Sequence, residues 1–304
     1  MNIKKFSLMA ALAGVLLASC KKEDPLGNVD DIPGLGGDTW QAGPIDDWLF
    51  TNLVAPFNIS TKYKWDQFEI ELDKTVVPVK EEKVIPVMSA IKAAWIDAYI
   101  AEAGLEFFKK YSPKHFVLEG SGSYNTDGTA TIGTAEGGRK IILYQLNYFR
   151  TKEMTGYTPA DSTVIKQLFH VIHHEFGHIL HQNIMYPLDY KAISVALYAP
   201  TWFNYSDEEA HNEGFISNYA ISNPDDDFVE MISLMLVYGK TWFDQMVEGI
   251  NYAGATENGT TAEQAKSNLR QKEALVVSYF KTAWNIDFYS LQARTRAAIE
   301  GFLY

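Results

Sequence analysis

Cysteine is almost absent: Cys20 is the only one in 304 residues. A single thiol cannot close an intramolecular disulfide or build a cysteine zinc site. Any metal must therefore be held by His, Asp or Glu. Positive charge is also scarce. The 26 Lys and Arg stand against 38 Asp and Glu, for a net charge of −12. That balance argues against a nucleic-acid partner, which wants a basic face, and against anionic membrane surfaces. No internal repeat is evident, and no transmembrane segment is read beyond the first twenty residues. Core material is ample, with 47% apolar and 13% aromatic residues. The length suits one large domain or two small ones.

The N-terminus reads as targeting, not structure. Lys4 and Lys5 precede an almost wholly apolar run from Phe6 to Ala18. That is a positive region followed by an apolar core too short for an ordinary membrane span. It ends in Leu17-Ala18-Ser19-Cys20, which resembles a bacterial lipobox. The resemblance implies cleavage before Cys20, lipidation of Cys20, and attachment to the membrane through acyl chains only. The charged stretch Lys21-Lys22-Glu23-Asp24, ending in two acids, resembles the surface-export signal of Bacteroidetes lipoproteins, which implies the outer face of the outer membrane. Residues 1–19 are thus read as signal peptide and 20–45, rich in Gly, Pro and Asp, as lipidated Cys and flexible tether. Residues 46–304 are read as the folded domain.

Within that domain, Ile59 to Leu72 alternates loosely and predicts one or two strands. Glu81 to Tyr111 carries apolar residues at helical spacing, divided at Gly104. His115 to Leu118 and Lys140 to Tyr144 predict short strands, with glycine-rich turns between them. Thr158-Pro159-Ala160-Asp161 predicts a helix start, with Thr158 as cap and Pro159 at the first position. That helix should run to about Asn183. Asp207 to Asn212 predicts a short helix, and Asn223-Pro224 opens another through Tyr238. Tyr190 to Asn204 reads as irregular. Thr260 to Leu303 is helical again, broken near Asn285-Ile286-Asp287.

The chemistry lies in His174-Glu175-Phe176-Gly177-His178, a match to H-E-x-x-H. On a helix, His174 and His178 project from one face about one turn apart. Two neutral imidazoles so spaced can hold one Zn²⁺ and leave room for a third ligand and a water. Glu175 can then take the proton from that water. His181 shares the stripe with His170, His174 and His178. It lies seven residues past His174, about 10.5 Å along a straight helix, too far for an easy shared bond to one ion. A cleft-wall or supporting role suits it better. Glu230, on the following helix, is the second candidate for the third ligand. Asp226 and Asp227 lie four and three residues before it, where one can orient a ligating imidazole or serve the helix dipole. Glu213 is an alternative ligand or supporting group. Tyr219 is the candidate donor to the oxyanion of a tetrahedral intermediate, with His211 next.

These residues, with Asp227-Phe228-Val229-Glu230 and the stretch Gly214 to Ala220, resemble the SusD-associated zinc metallopeptidases, Bacteroidetes lipoproteins encoded beside nutrient-import systems. The resemblance implies that the Glu of D-F-x-E, here Glu230, binds zinc. It implies an α+β, zincin-like fold: a small mixed sheet, the HExxH helix and a mainly helical C-terminal part. In such folds an edge strand of the sheet commonly takes an extended substrate. The expected activity is gluzincin-like hydrolysis of peptide or protein substrates on the cell surface, near a SusC/SusD-type import complex. Two alternatives stay open. One is a non-catalytic, zinc-containing binding component of such a system. The other is a zinc hydrolase of a non-peptide amide or ester.

Overall fold

The structure, a computed structural model, describes residues 41–66, 68–69, 74–124, 130–131, 133–136 and 139–304. The expected signal peptide, Cys20 and nearly all of the tether lie outside the described residues. The compact unit spans Pro44–Tyr304.

The chain opens with α1 (Pro44–Leu49), which continues through a π turn at Phe50–Val54. Strand β1 (Ser60–Lys62) follows. It is all the strand found among the described residues of the Ile59–Leu72 stretch. Then come α2 (Glu81–Ile91), a second π turn (Lys92–Ile96) and α3 (Asp97–Ala103). Residues 81–103 are long and apolar enough to cross a membrane, but they pack as a core helix. Val84, Val87, Ile91, Trp95 and Tyr99 are all fully buried. Gly104, with φ at +86°, divides this helix from α4 (Leu105–Tyr111). Only glycine adopts such a backbone cheaply.

Strands β2 (His115–Leu118), β5 (Gly133–Glu136) and β6 (Lys140–Leu143) join β1 in a four-stranded sheet ordered β1-β2-β6-β5. The first three are parallel, and β5 runs antiparallel at one edge. Short strands β3 (Ser123–Tyr124) and β4 (Ala130–Thr131) pair separately. Alternation along β2 and β6 sends Phe116, Leu118, Ile141 and Leu143 into the main core. Val117 and Ile142 face the other way, onto Val76 and Tyr144.

The cap at Thr158 and Pro159 opens a 3-10 turn (Pro159–Asp161), and the motif helix α5 (Ser162–Asn183) starts after it, three residues later than the sequence placed it. Asp161 Oδ2 accepts from the Thr158 backbone N–H at 2.7 Å and from its hydroxyl at 3.0 Å. After it come α6 (Leu188–Ile193) and α7 (Asp207–Asn212). The first falls partly in the stretch expected to be irregular. The remaining helices are α8 (Pro224–Tyr238), α9 (Lys240–Gly249), α10 (Ala262–Trp284) and α11 (Phe288–Leu303). Asn285, with φ at +54°, makes the predicted break between the last two.

Two residues inside the motif explain how α5 is held. Phe176 points into an aromatic cluster, with ring centroids 5.4 Å from Trp95 and 4.8 Å from Tyr99, both edge-on. Gly177 faces α8, where a Cβ would meet Val229 Cγ1 at 2.9 Å. The residues between the histidines thus pin the helix to the core on one side. On the other they let α8 approach closely.

Candidate metal centre

On α5, the i, i+4 spacing brings His174 Nε2 and His178 Nε2 to 3.1 Å. From α8, two carboxylates one turn apart approach His174 from opposite ends of its ring. Glu230 Oε1 lies 2.8 Å from His174 Nδ1 and 2.6 Å from His170 Nε2. Its other oxygen accepts from the Ser217 hydroxyl at 2.6 Å. Asp226 Oδ1 lies 3.2 Å from His178 Nε2 and 3.7 Å from His174 Nε2. Its Oδ2 accepts from Ser222 and from the Asn223 amide, both at 2.6 Å. Asn223 also caps α8, accepting from the Asp225 and Asp226 backbone N–H groups. The residue that starts the helix therefore also fixes the carboxylate.

The sequence reading put His174, His178 and Glu230 on one ion. Among the described residues the atoms form two other sets that share His174. One is His174, His178 and Asp226; the other is His170, His174 and Glu230. His181 belongs to neither, in keeping with the rise of the helix. Its Nε2 lies 2.9 Å from His178 Nδ1. Burial, and then the nearby His178, lower its pKa to about 4, so it stays neutral.

Burial alone would lower the pKa of His174. Hydrogen bonds with Asp226 and Glu230, and the charge of Glu230, override it and push the value up to about 10. Asp226 and Glu230 are each raised by burial, yet their histidine contacts hold both below the usual carboxylate range. The pocket thus favours positive charge. Glu175 is raised, by burial first, against the lowering effect of His174 and His178. No hydrogen bond reaches its carboxylate from the described residues. The Tyr219 ring sits 5.7 Å from that of His174 and 4.8 Å from that of Trp202. Burial, then the charges of Asp226, Glu230 and Glu175, raise its phenol.

Three of the residues considered from sequence lie elsewhere. Asp227 is fully buried against Lys272, at 2.7 Å, and accepts from Tyr198 at 2.9 Å. One residue past Asp226, it is turned about 100° around the helix, toward α10. It orients no imidazole. Glu213 accepts from Thr260 and Asn258 and joins neither set. His211 spends Nε2 on the Ile216 carbonyl at 3.1 Å.

The family model described as "Putative zinc-binding metallo-peptidase" matches residues 38–289. The chain belongs to this family. A solved structure, titled a putative zinc-binding metallo-peptidase from Bacteroides caccae ATCC 43185, has a TM-score of 0.67 at 33% identity. The match covers 85% of this chain and 92% of that one. No curated protein matches the chain. For a zinc-binding metallopeptidase family the donors fit. They are nitrogen and oxygen only, suited to Zn²⁺. The histidine Nδ1 atoms are occupied by Glu230 and His181, which leaves the two Nε2 atoms, 3.1 Å apart, for a metal.

Sequence reasoning gave Asp226 a supporting role at most and missed Ser217, Ser222 and Asn223 as holders of the carboxylates. The i, i+4 spacing of Asp226 and Glu230 was the available signal. It marks a shared face without saying which carboxylate reaches which nitrogen.

Proposed function

We propose that this chain is a zincin-like, zinc-dependent peptidase of the cell surface. The observation that carries the reading is the convergence of His174 Nε2 and His178 Nε2 at 3.1 Å, on the helix that also holds Glu175. His174, His178 and a carboxylate of α8 would hold Zn²⁺ there, and the ion would supply a Lewis acid that lowers the pKa of a water toward about 7. Glu175 takes the proton from the attacking water and returns it to the leaving amine. Burial raises its pKa, which favours the protonated form that the leaving amine needs. Tyr219 donates to the oxyanion of the tetrahedral intermediate. Strand β5 ends the sheet, and Gly133 on it approaches Val171 of α5 so closely that a Cβ would meet Cγ1 at 2.2 Å. Its outer edge is unpaired among the described residues, and an extended peptide adds there as a further antiparallel strand.

The lipobox at Cys20 and the charged run after it support a lipid tether on the outer face of the outer membrane. The likeness to SusD-associated peptidases supports a role beside a SusC/SusD-type importer, feeding it cleaved peptides. The Bacteroides origin of the matched structure fits that setting.

The test is zinc content and cleavage of denatured proteins by wild type and Glu175→Gln. The variant should keep its zinc and lose roughly 10²–10⁴-fold in rate. A wild type without zinc, or a variant that cleaves as fast, overturns the mechanism. Protease shaving of intact cells, with Cys20→Ala as control, tests the location.

A further inference from the structure

We propose that Asp226 is the third protein ligand of the ion, and that Glu230 is a positioning residue that fixes the orientation and tautomer of His174. The proposal rests on the zinc reading above and assigns its ligands.

Ligands bound at about 2.0–2.1 Å in a tetrahedron stand roughly 3.3–3.4 Å from one another. The triangle of His174 Nε2, His178 Nε2 and Asp226 Oδ1 has sides of 3.1, 3.2 and 3.7 Å, which bracket that value. Glu230 stands differently. Its distances of 2.8 Å to His174 and 2.6 Å to His170 match charge-assisted hydrogen bonds and are too short for ligands around one ion. Both of its oxygens are also committed, the second to Ser217.

The imidazole itself decides between them. The two nitrogens of a ring point in divergent directions, so one ion engages only one of them. An ion shared with His178 must use His174 Nε2, because that is the atom facing His178. Glu230 lies at Nδ1, on the far side of the ring. By accepting the Nδ1 proton it leaves the Nε2 lone pair free for metal. His181 Nε2, 2.9 Å from His178 Nδ1, can do the same for His178 in the tautomer that accepts there. Asp226 is meanwhile held through Oδ2 by Ser222 and Asn223, so Oδ1 stays aimed at the two Nε2 atoms.

The experiment places a thiol at each position in a Cys20→Ala full chain and loads it with Co²⁺. Asp226→Cys should show an intense thiolate-to-cobalt charge-transfer band, and Glu230→Cys should not. In parallel, zinc affinity is measured by chelator competition. Asp226→Asn should lose more than 100-fold, and Glu230→Gln about 10–100-fold, the range for an orienting partner. The band in Glu230→Cys, its absence from both cysteine variants, or an Asp226→Asn protein with wild-type affinity overturns the assignment. A wild type that takes up no zinc overturns the peptidase reading instead.

Discussion

Gly177→Ala tests whether the close crossing of α5 and α8 builds the metal centre. The added Cβ would sit 2.9 Å from Val229 Cγ1 and 3.1 Å from Val229 Cβ. Carbon atoms rest comfortably at about 3.5–4.0 Å, so the helices must part by roughly half an ångström or Val229 must shift. Two effects oppose each other in stability. Alanine gains about 1 kcal/mol of helix propensity over glycine. Overpacking costs about 1–3 kcal/mol. The net is a loss of about 1 kcal/mol, readable by urea denaturation.

The metal site should respond more sharply than stability. Asp226 lies one turn before Val229 on α8, so a shift of that size carries Oδ1 off the two Nε2 atoms. Binding geometry tolerates about 0.5 Å, so zinc affinity should fall around tenfold. Chelator competition reads it. Gly177→Ala/Val229→Ala removes the clash and should restore affinity, even though the lost valine methyls keep the double variant less stable. If Gly177→Ala instead gains the full 1 kcal/mol with unchanged zinc affinity, the crossing does not set the site.

Lys272→Met leaves Asp227 buried without its cation and should cost about 3–5 kcal/mol by urea denaturation, most of it recovered in Lys272→Met/Asp227→Leu. Glu119 is 2% exposed, and burial raises its pKa from 4.5 to about 7. A folded value above the unfolded one means stability fully present below pH 4.5 and lost as pH rises through 7. At about 1.36 kcal/mol per pH unit, wild type should lose about 3 kcal/mol against Glu119→Gln between pH 4.5 and 8. Equal pH profiles would refute that. In the metal-free protein His174 has a pKa of about 10, so it is protonated at pH 7. Zinc uptake should expel about one proton there, seen by calorimetry in buffers of different ionisation enthalpy, and affinity should rise about tenfold per pH unit below pH 10.

Helix ends were legible in this sequence because their causes are local. Thr158, Pro159 and Asp161 open α5, and Asn223 and Pro224 open α8, through contacts within a few residues. The H-E-x-x-H pair was legible for the same reason, since one helix turn sets the Nε2 separation. The π turn at Lys92–Ile96 was not. It shifts the buried face partway along an apolar helix, and the pattern reads as continuous on both sides. Helix α9 was missed because Lys240 to Gly249 is a short amphipathic stretch between longer elements. The edge position of β5 depends on pairing with β6, which no local spacing announces.

The third ligand shows where local reading ends. Asp226, Asp227 and Glu230 all lie within five residues of one helix, and their roles differ by rotation about its axis. That rotation is set from outside the motif. Lys272 holds Asp227 from α10 at 2.7 Å, and Tyr190 donates to the Asp227 carbonyl at 3.0 Å. Gly177 sets how near α8 comes. With Asp227 turned toward α10, its neighbour Asp226 must face the Nε2 side of the histidines, and Glu230, one turn on, must meet the Nδ1 side of the same ring. The buried Lys272–Asp227 pair, next to Asp226 on the helix, thus favours the rotation that turns Asp226 toward the two Nε2 atoms. That role accounts for a costly buried lysine in an acidic chain better than stability does, because a well-packed apolar pair would hold the helices together as well.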